Sequence, residues 1–227
     1  MPAITGTKAR AASPEQIATS NELAAQYPAY LNSLGLKAPD GTLLTVDNYR
    51  DYIKSFLIQS AQRAINEGAE MPSNAGIKLN SGFRGSPGEF VLDIDIDTYL
   101  NYVVTKQQLN TPPAFDQLNV LIPNPTPENN EFGDTTGKPR NFTDYSLRKA
   151  AKKPNATVDT TIKKMVYLLN PMNFIGDSKN TTTKNWYIRN GALDKDAAFS
   201  ISINLYTRLL NHGYNPNFAL AWNREFS

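Results

Sequence analysis

Four side chains in this sequence could take part in acyl-transfer chemistry: Ser86, His212, Asp194 and Asp196. A serine hydroxyl attacks a carbonyl well only when an imidazole removes its proton and a carboxylate holds that imidazole in place. Ser86 lies in Arg84-Gly85-Ser86-Pro87-Gly88. A nucleophile elbow needs glycine two residues before and two after the serine. Arg84 holds the first of those positions, so a plain glycine turn competes with the elbow. His212 is the one histidine and the sole imidazole base. It ends a predicted helix just before Gly213, where the helix dipole also favours histidine. Asp194 and Asp196 follow a predicted parallel strand, and catalytic groups gather at the carboxyl ends of such strands. Helix capping is the alternative for both. Asp93, Asp95 and Asp97 have the spacing that opens a calcium loop. That loop needs glycine at its sixth position and glutamate at its twelfth. Thr98 and Val104 stand there, so the three aspartates read as the wet face of a strand followed by an N-cap.

These residues need elements to hold them. Ser13-Pro14-Glu15-Gln16 is a helix start with a capping box and a proline at the first helical position. The helix runs to Leu34 and stops at Gly35. A second helix is capped by Asp47. It carries Tyr49, Tyr52, Ile53, Phe56, Leu57, Ala61, Ala64 and Ile65 at three- and four-residue spacing, a stripe wide enough to face a core. Ile77–Leu79 and Phe90–Ile96 read as strands around the glycine-rich link Ser81–Gly88. Asp97 then caps a short helix, Tyr99–Lys106. The Pro-rich stretch 107–140 reads as one long surface loop, of the kind that often serves as a lid. Helices near 141–151 and 158–169 follow. Asn185–Asn190, Ala197–Asn211 and Asn217–Trp222 read as strand, crossover helix and strand, a unit that implies a parallel pair.

Composition narrows the chemistry further. The 227 residues contain no Cys, one His, 24 Asn and 15 Pro. Disulfides, thiolate zinc sites, cysteine nucleophiles and sites needing two imidazoles are excluded. Asn and Pro favour turns, so the fold should be loop-rich. No apolar run approaches the ~18 residues of a membrane span. The first 25 residues lack the apolar core of a signal peptide. A net charge of +2 gives no reason to expect nucleic acid. The basic cluster Arg148, Lys149, Lys152 and Lys153 reads as a solvated helix end.

Several stretches, taken together and in order, carry a resemblance. They are NYRDYIKSFLIQSAQRAI, GFRGSPGEFVLDIDIDTYLNYV, TPPAFD, ENNEFGD, NFTDYSLRKA, LLNPMNFIG and WYIRNGALDKDAAFSISINLYTRLLNHGYNPNFALAWNR. Over roughly residues 20–224 the sequence resembles the C-terminal half of bacterial tannase and feruloyl-esterase-like proteins of the α/β-hydrolase fold. The resemblance implies a partial α/β-hydrolase fold: a helical lid insertion with a small hairpin over 1–165, then the last βαβ unit of the parallel sheet over 166–227. It implies a serine carboxylic ester hydrolase that needs no cofactor and no metal. The substrate would be a small aromatic or aryl ester, with no nucleic acid and no membrane as partner. Such proteins are commonly exported from bacteria.

The family's catalytic residues map only in part. Its aspartate matches Asp196 best and Asp194 second. Its histidine follows the tryptophan that matches Trp222, in an Arg-Pro-His-Ser stretch. Here the sequence reads Arg224-Glu225-Phe226-Ser227, which puts Phe226 at the histidine position. Its nucleophilic serine belongs upstream of everything in this sequence. The resemblance thus implies a truncated chain with one triad residue, activity near background, and a bare sheet edge open to self-association. Ser86 and His212 would be an improvised nucleophile and base. An inactive lid fragment that binds aromatic ligands, or an interaction module, is the competing reading.

Overall fold

The computed structural model describes residues 13–80, 88–106, 113, 115–118, 120, 125–194 and 196–224. Helix α1 (Pro14–Leu34) starts as its sequence dictates. Ser13 Oγ accepts the Gln16 N–H, and Gln16 Oε1 accepts the Ser13 N–H in return. It ends at Gly35, whose φ of 58° is left-handed. Helix α2 (Val46–Asn66) begins one residue ahead of the expected Asp47 cap. Thr45 holds the cap position, and its N–H is taken by Asn48 Oδ1 at 2.9 Å.

Strands β1 (Ile77–Leu79) and β2 (Val91–Ile94) pair antiparallel, and helix α3 (Ile96–Lys106) follows directly. Asp95, rather than Asp97, closes the start of α3 by accepting the Thr98 N–H at 2.8 Å. Asp97 instead pairs with Arg50 on α2. Asp93 takes Lys54 and Lys78. The three aspartates therefore serve the fold. Among the described residues no group of acidic or imidazole side chains could hold a metal.

The stretch expected as one long loop contains a short helix, α4 (Pro127–Glu131), capped by Thr126. Helices α5 (Asp144–Ala151) and α6 (Thr160–Leu169) follow, then a single 3-10 turn at Pro171–Asn173. The tail is strand β3 (Tyr187–Gly191), helix α7 (Phe199–Asn211) and strand β4 (Asn217–Ala221). The two strands pair in parallel, Tyr187 opposite Asn217 and Gly191 opposite Ala221. The fold is therefore mixed helix and strand with two small sheets. No helix among the described residues is long and apolar enough to cross a membrane.

One apolar cluster draws on α2, β1, β2, α3, α7 and β4 together, with Leu57, Ile94, Tyr99 and Ile203 at its centre. It takes residues from both sides of position 165. The wide stripe on α2 explains this, because it covers β2 and β4 at once. Its polar edge is also used. Tyr49 Oη donates to Asn204 Oδ1 on α7, Tyr52 Oη bonds Thr207 Oγ1 at 2.9 Å, and Ser60 Oγ donates to the Leu220 carbonyl at 2.9 Å. Two smaller clusters lie elsewhere. Leu31, Leu36, Leu44 and Tyr49 join α1 to α2, while Phe132, Val158 and Ile162 join α4 to α6.

Candidate active site

The carboxyl ends of β3 and β4 point the same way because the strands are parallel. Each continues past its last ladder residue, and the two continuations are bonded to each other. Ala192 N–H donates to the Ala221 carbonyl at 2.9 Å, and Leu193 N–H donates to the Arg224 carbonyl at 2.8 Å. The loop after β3, which carries Asp194 and Asp196, thus lies directly against Trp222–Arg224.

Within this loop Asp194 is held by the backbone that follows it. Its Oδ1 accepts the N–H groups of Asp196 at 2.8 Å and Ala197 at 3.0 Å. Its Oδ2 receives only a long 3.4 Å contact from Asn190 Nδ2 among the described residues. Among the described residues, then, one oxygen is fixed by the backbone and the other has only this long contact. Asp196 is half-buried beside it. Neither aspartate is the N-cap of α7; Ala198 holds that position without a side-chain bond.

Two residues that sequence reasoning did not single out hold this corner from below. Tyr99 on α3 is fully buried and donates its hydroxyl to the Ala192 carbonyl at 2.7 Å. Its ring packs against Trp222 with centroids 5.7 Å apart. One side chain therefore braces both strand ends. Burial pushes the Tyr99 phenol pKa well up, so it is a hydrogen-bond donor and no base. Asn190 is the second. It is buried, its Oδ1 accepts from Ser202 on α7, and its Nδ2 reaches Gly191 O. Asn190 sits in an alternating strand pattern where an inward polar residue is out of place, and that was the available signal.

The structure does not bring His212 to this corner. His212 follows the last residue of α7, while the aspartate loop leads into its first. Thirteen helical residues put about 20 Å between them. The imidazole lies over Gly176, where an added Cβ would sit 2.1 Å from a ring carbon. Partial desolvation first, and Arg208 second, hold the pKa of this largely exposed imidazole below the ordinary 6.5. Ser86 and Phe226 lie outside the described residues, as does most of the Ser81–Gly88 link.

What the corner offers chemically is a carboxylate fixed on one side and presented on the other, at the carboxyl end of a parallel pair. It can orient and stabilise a protonated base; by itself it supplies neither nucleophile nor oxyanion donors.

No protein-family profile and no curated protein matches this chain. Solved structures do. The tannase of Lactobacillus plantarum matches with a TM-score of 0.80 and 34% identity, over 96% of this chain and 44% of its own. A tannin acyl hydrolase in complex with ethyl gallate matches at 0.79 and 34%, over 96% and 45%. The tannase of Fusobacterium nucleatum matches at 0.77 and 31%, over 95% and 44%. The chain spans less than half the length of these tannases.

Proposed function

We propose that this chain, tannase-like along nearly all of its length, is the C-terminal part of a carboxylic ester hydrolase of tannase or feruloyl-esterase type. Its substrates are small esters of aromatic acids. The observation that carries this reading is the Asp194 loop at the carboxyl end of a parallel strand pair, in a chain about one-third identical to tannases. We assign 166–227 to a partial α/β-hydrolase sheet and 1–165 to a lid, with α2 packed on both.

In this reading the carboxylate loop does one job. Asp194 Oδ1 is held by two backbone N–H groups, so Oδ2 accepts the Nδ1–H of an imidazole and stabilises the imidazolium formed when a serine gives up its proton. Asp196, the closer match by sequence, stands beside it as the alternative. The serine, the imidazole and the oxyanion donors are assigned to the part of a tannase-length protein that this sequence does not span.

Hydrolysis of methyl gallate and methyl ferulate tests this, in the 227-residue chain and in a tannase-length protein that carries residues 1–224 within its C-terminal half and continues with a histidine at the position of Phe226. We expect the chain alone to match buffer and the longer protein to turn over. Asp194→Asn should lower kcat by about 10⁴-fold, the order seen when a triad carboxylate loses its charge. Asp196→Asn should cost far less. Wild-type kcat in Asp194→Asn would overturn the assignment of Asp194, and a longer protein without turnover would overturn the esterase reading.

A further inference from the structure

On the α2 side of β4 the structure holds a cavity of about 600 Å³. Ser60 and Ala64 on α2 and Leu220 and Ala221 on β4 form its base. The base is already satisfied, because Ser60 donates to the Leu220 carbonyl. The rim carries Arg63, Arg189 and Arg224, with Trp222 among them and Glu67 as the single acid.

The three arginines differ in their engagements. Arg189 is committed: it donates to Ile188 O, Asn217 O and Asn217 Oδ1, and stacks 3.7 Å over the Tyr187 ring. Arg63 and Arg224 are exposed and make no ion pair among the described residues. Elsewhere Arg50, Arg140 and Arg148 are each paired with an aspartate. Arg63 and Arg224, neither paired with a carboxylate among the described residues, thus border one cavity, beside a half-buried indole packed on Tyr99. Glu67 and the C-terminal end of α2, worth roughly half a negative charge, oppose an anion there. Three guanidinium groups outweigh them.

We infer that this cavity binds an aromatic monocarboxylate. Guanidinium forks match a carboxylate in plane and in hydrogen-bond geometry. An indole offers an aryl ring a stacking face. A cavity in the 300–1,000 Å³ range is ample for such a ligand. Neither a nucleophile nor a base is required, so the inference stands apart from the ester-hydrolysis reading and can hold where that one fails.

The test is a titration of the 227-residue chain with sodium benzoate, following the indole N–H signals of its two tryptophans by NMR. Trp186, whose Nε1–H is held by Thr183 O, serves as the internal reference. We expect a saturable shift of the Trp222 signal alone. Arg63→Gln and Arg224→Gln should each weaken binding by about five- to tenfold, with the Trp186 signal and the thermal midpoint unchanged. Methyl benzoate, which lacks the charge, should give no saturable shift. No saturable shift with benzoate would overturn the inference, as would equal affinity in the double variant. Inorganic phosphate binding as tightly as benzoate would also overturn it, since the aryl ring would then contribute nothing.

Discussion

Asp116 is held by more hydrogen bonds than Asp194 among the described residues. It is 4% exposed, and its carboxylate accepts five donors: Asn129 Nδ2, Asn141 Nδ2, Phe142 N, Thr143 N and Thr143 Oγ1, at 2.6–3.1 Å. None of the donors is a charged group. Buried charge tolerates this only while every donor stays in place. Asp116→Ala leaves several donors facing an empty space, so urea unfolding should show a loss of about 3–5 kcal/mol. Asp116→Asn turns an amide NH₂ against those donors and should cost about 2–3 kcal/mol. His212 gives a second expectation at this scale. Its folded-state pKa is below the ordinary 6.5, through partial desolvation and then Arg208. Below pH 6.5 the unfolded chain therefore binds a proton that the folded one refuses. The stability that neutral His212 contributes is present above that value and is lost as pH falls through the folded pKa. His212→Gln should flatten the stability profile between pH 7.5 and 5, measured against the wild-type urea midpoint. Residues of this kind were poorly legible in the sequence. Asp116 lies among prolines with no periodicity around it, and its donors come from 13 to 27 residues further on. Asp194 and Asp196 were legible, because a strand end followed by acidic residues is a local pattern.

At the scale of elements, the parts that local chemistry specifies came through. The capping box at Ser13, the left-handed Gly35 and the stripe of α2 each depend on neighbours within four residues, and the strands and crossover helix of the tail follow the same logic. The parts set by distant contacts did not. Asp97 reads as an N-cap, yet Arg50 claims it across 47 residues and Asp95 takes over the cap. Helix α4 was hidden because its five residues are too few for a periodic signal, and Thr126 holds it by capping. Helix α3 offers a direct expectation. Tyr99→Phe removes the donor to the Ala192 carbonyl and leaves that buried acceptor unmet. We expect a loss of about 1–2 kcal/mol, together with faster hydrogen exchange at the Asp196 and Ala197 amides that Asp194 accepts. Unchanged exchange at those amides would mean that Tyr99 braces the core and leaves the loop untouched.

For the whole molecule, the sheet of β3 and β4 poses the largest question. Trp186 O and Ala192 N face β4, so alternation along the strand turns the main-chain groups of Tyr187 and Arg189 the other way. Tyr187 is 73% exposed on this edge, and no third strand pairs with it among the described residues. An open edge of this kind templates pairing with another chain. We expect the 227-residue chain to associate in sedimentation velocity as its concentration rises. Tyr187→Pro, which removes an outward N–H and none of the β3–β4 ladder, should return it to a monomer. A monomer at every concentration would show that Arg189 and Tyr187, stacked on each other, already blunt the edge.

The reach of α2 has a consequence in time. Its residues Tyr52 and Ser60 bond partners 155 and 160 positions later in the chain. At a synthesis rate of roughly 5–20 residues per second, α2 leaves the ribosome about 8 to 30 seconds before the surface that covers it exists. During that interval its apolar face, with Tyr49, Tyr52, Phe56 and Leu57, is exposed to whatever else is nascent or nearby. The yield of this protein in a cell should therefore depend on how fast the stretch from α7 to β4 is translated and on whether a chaperone occupies that face first.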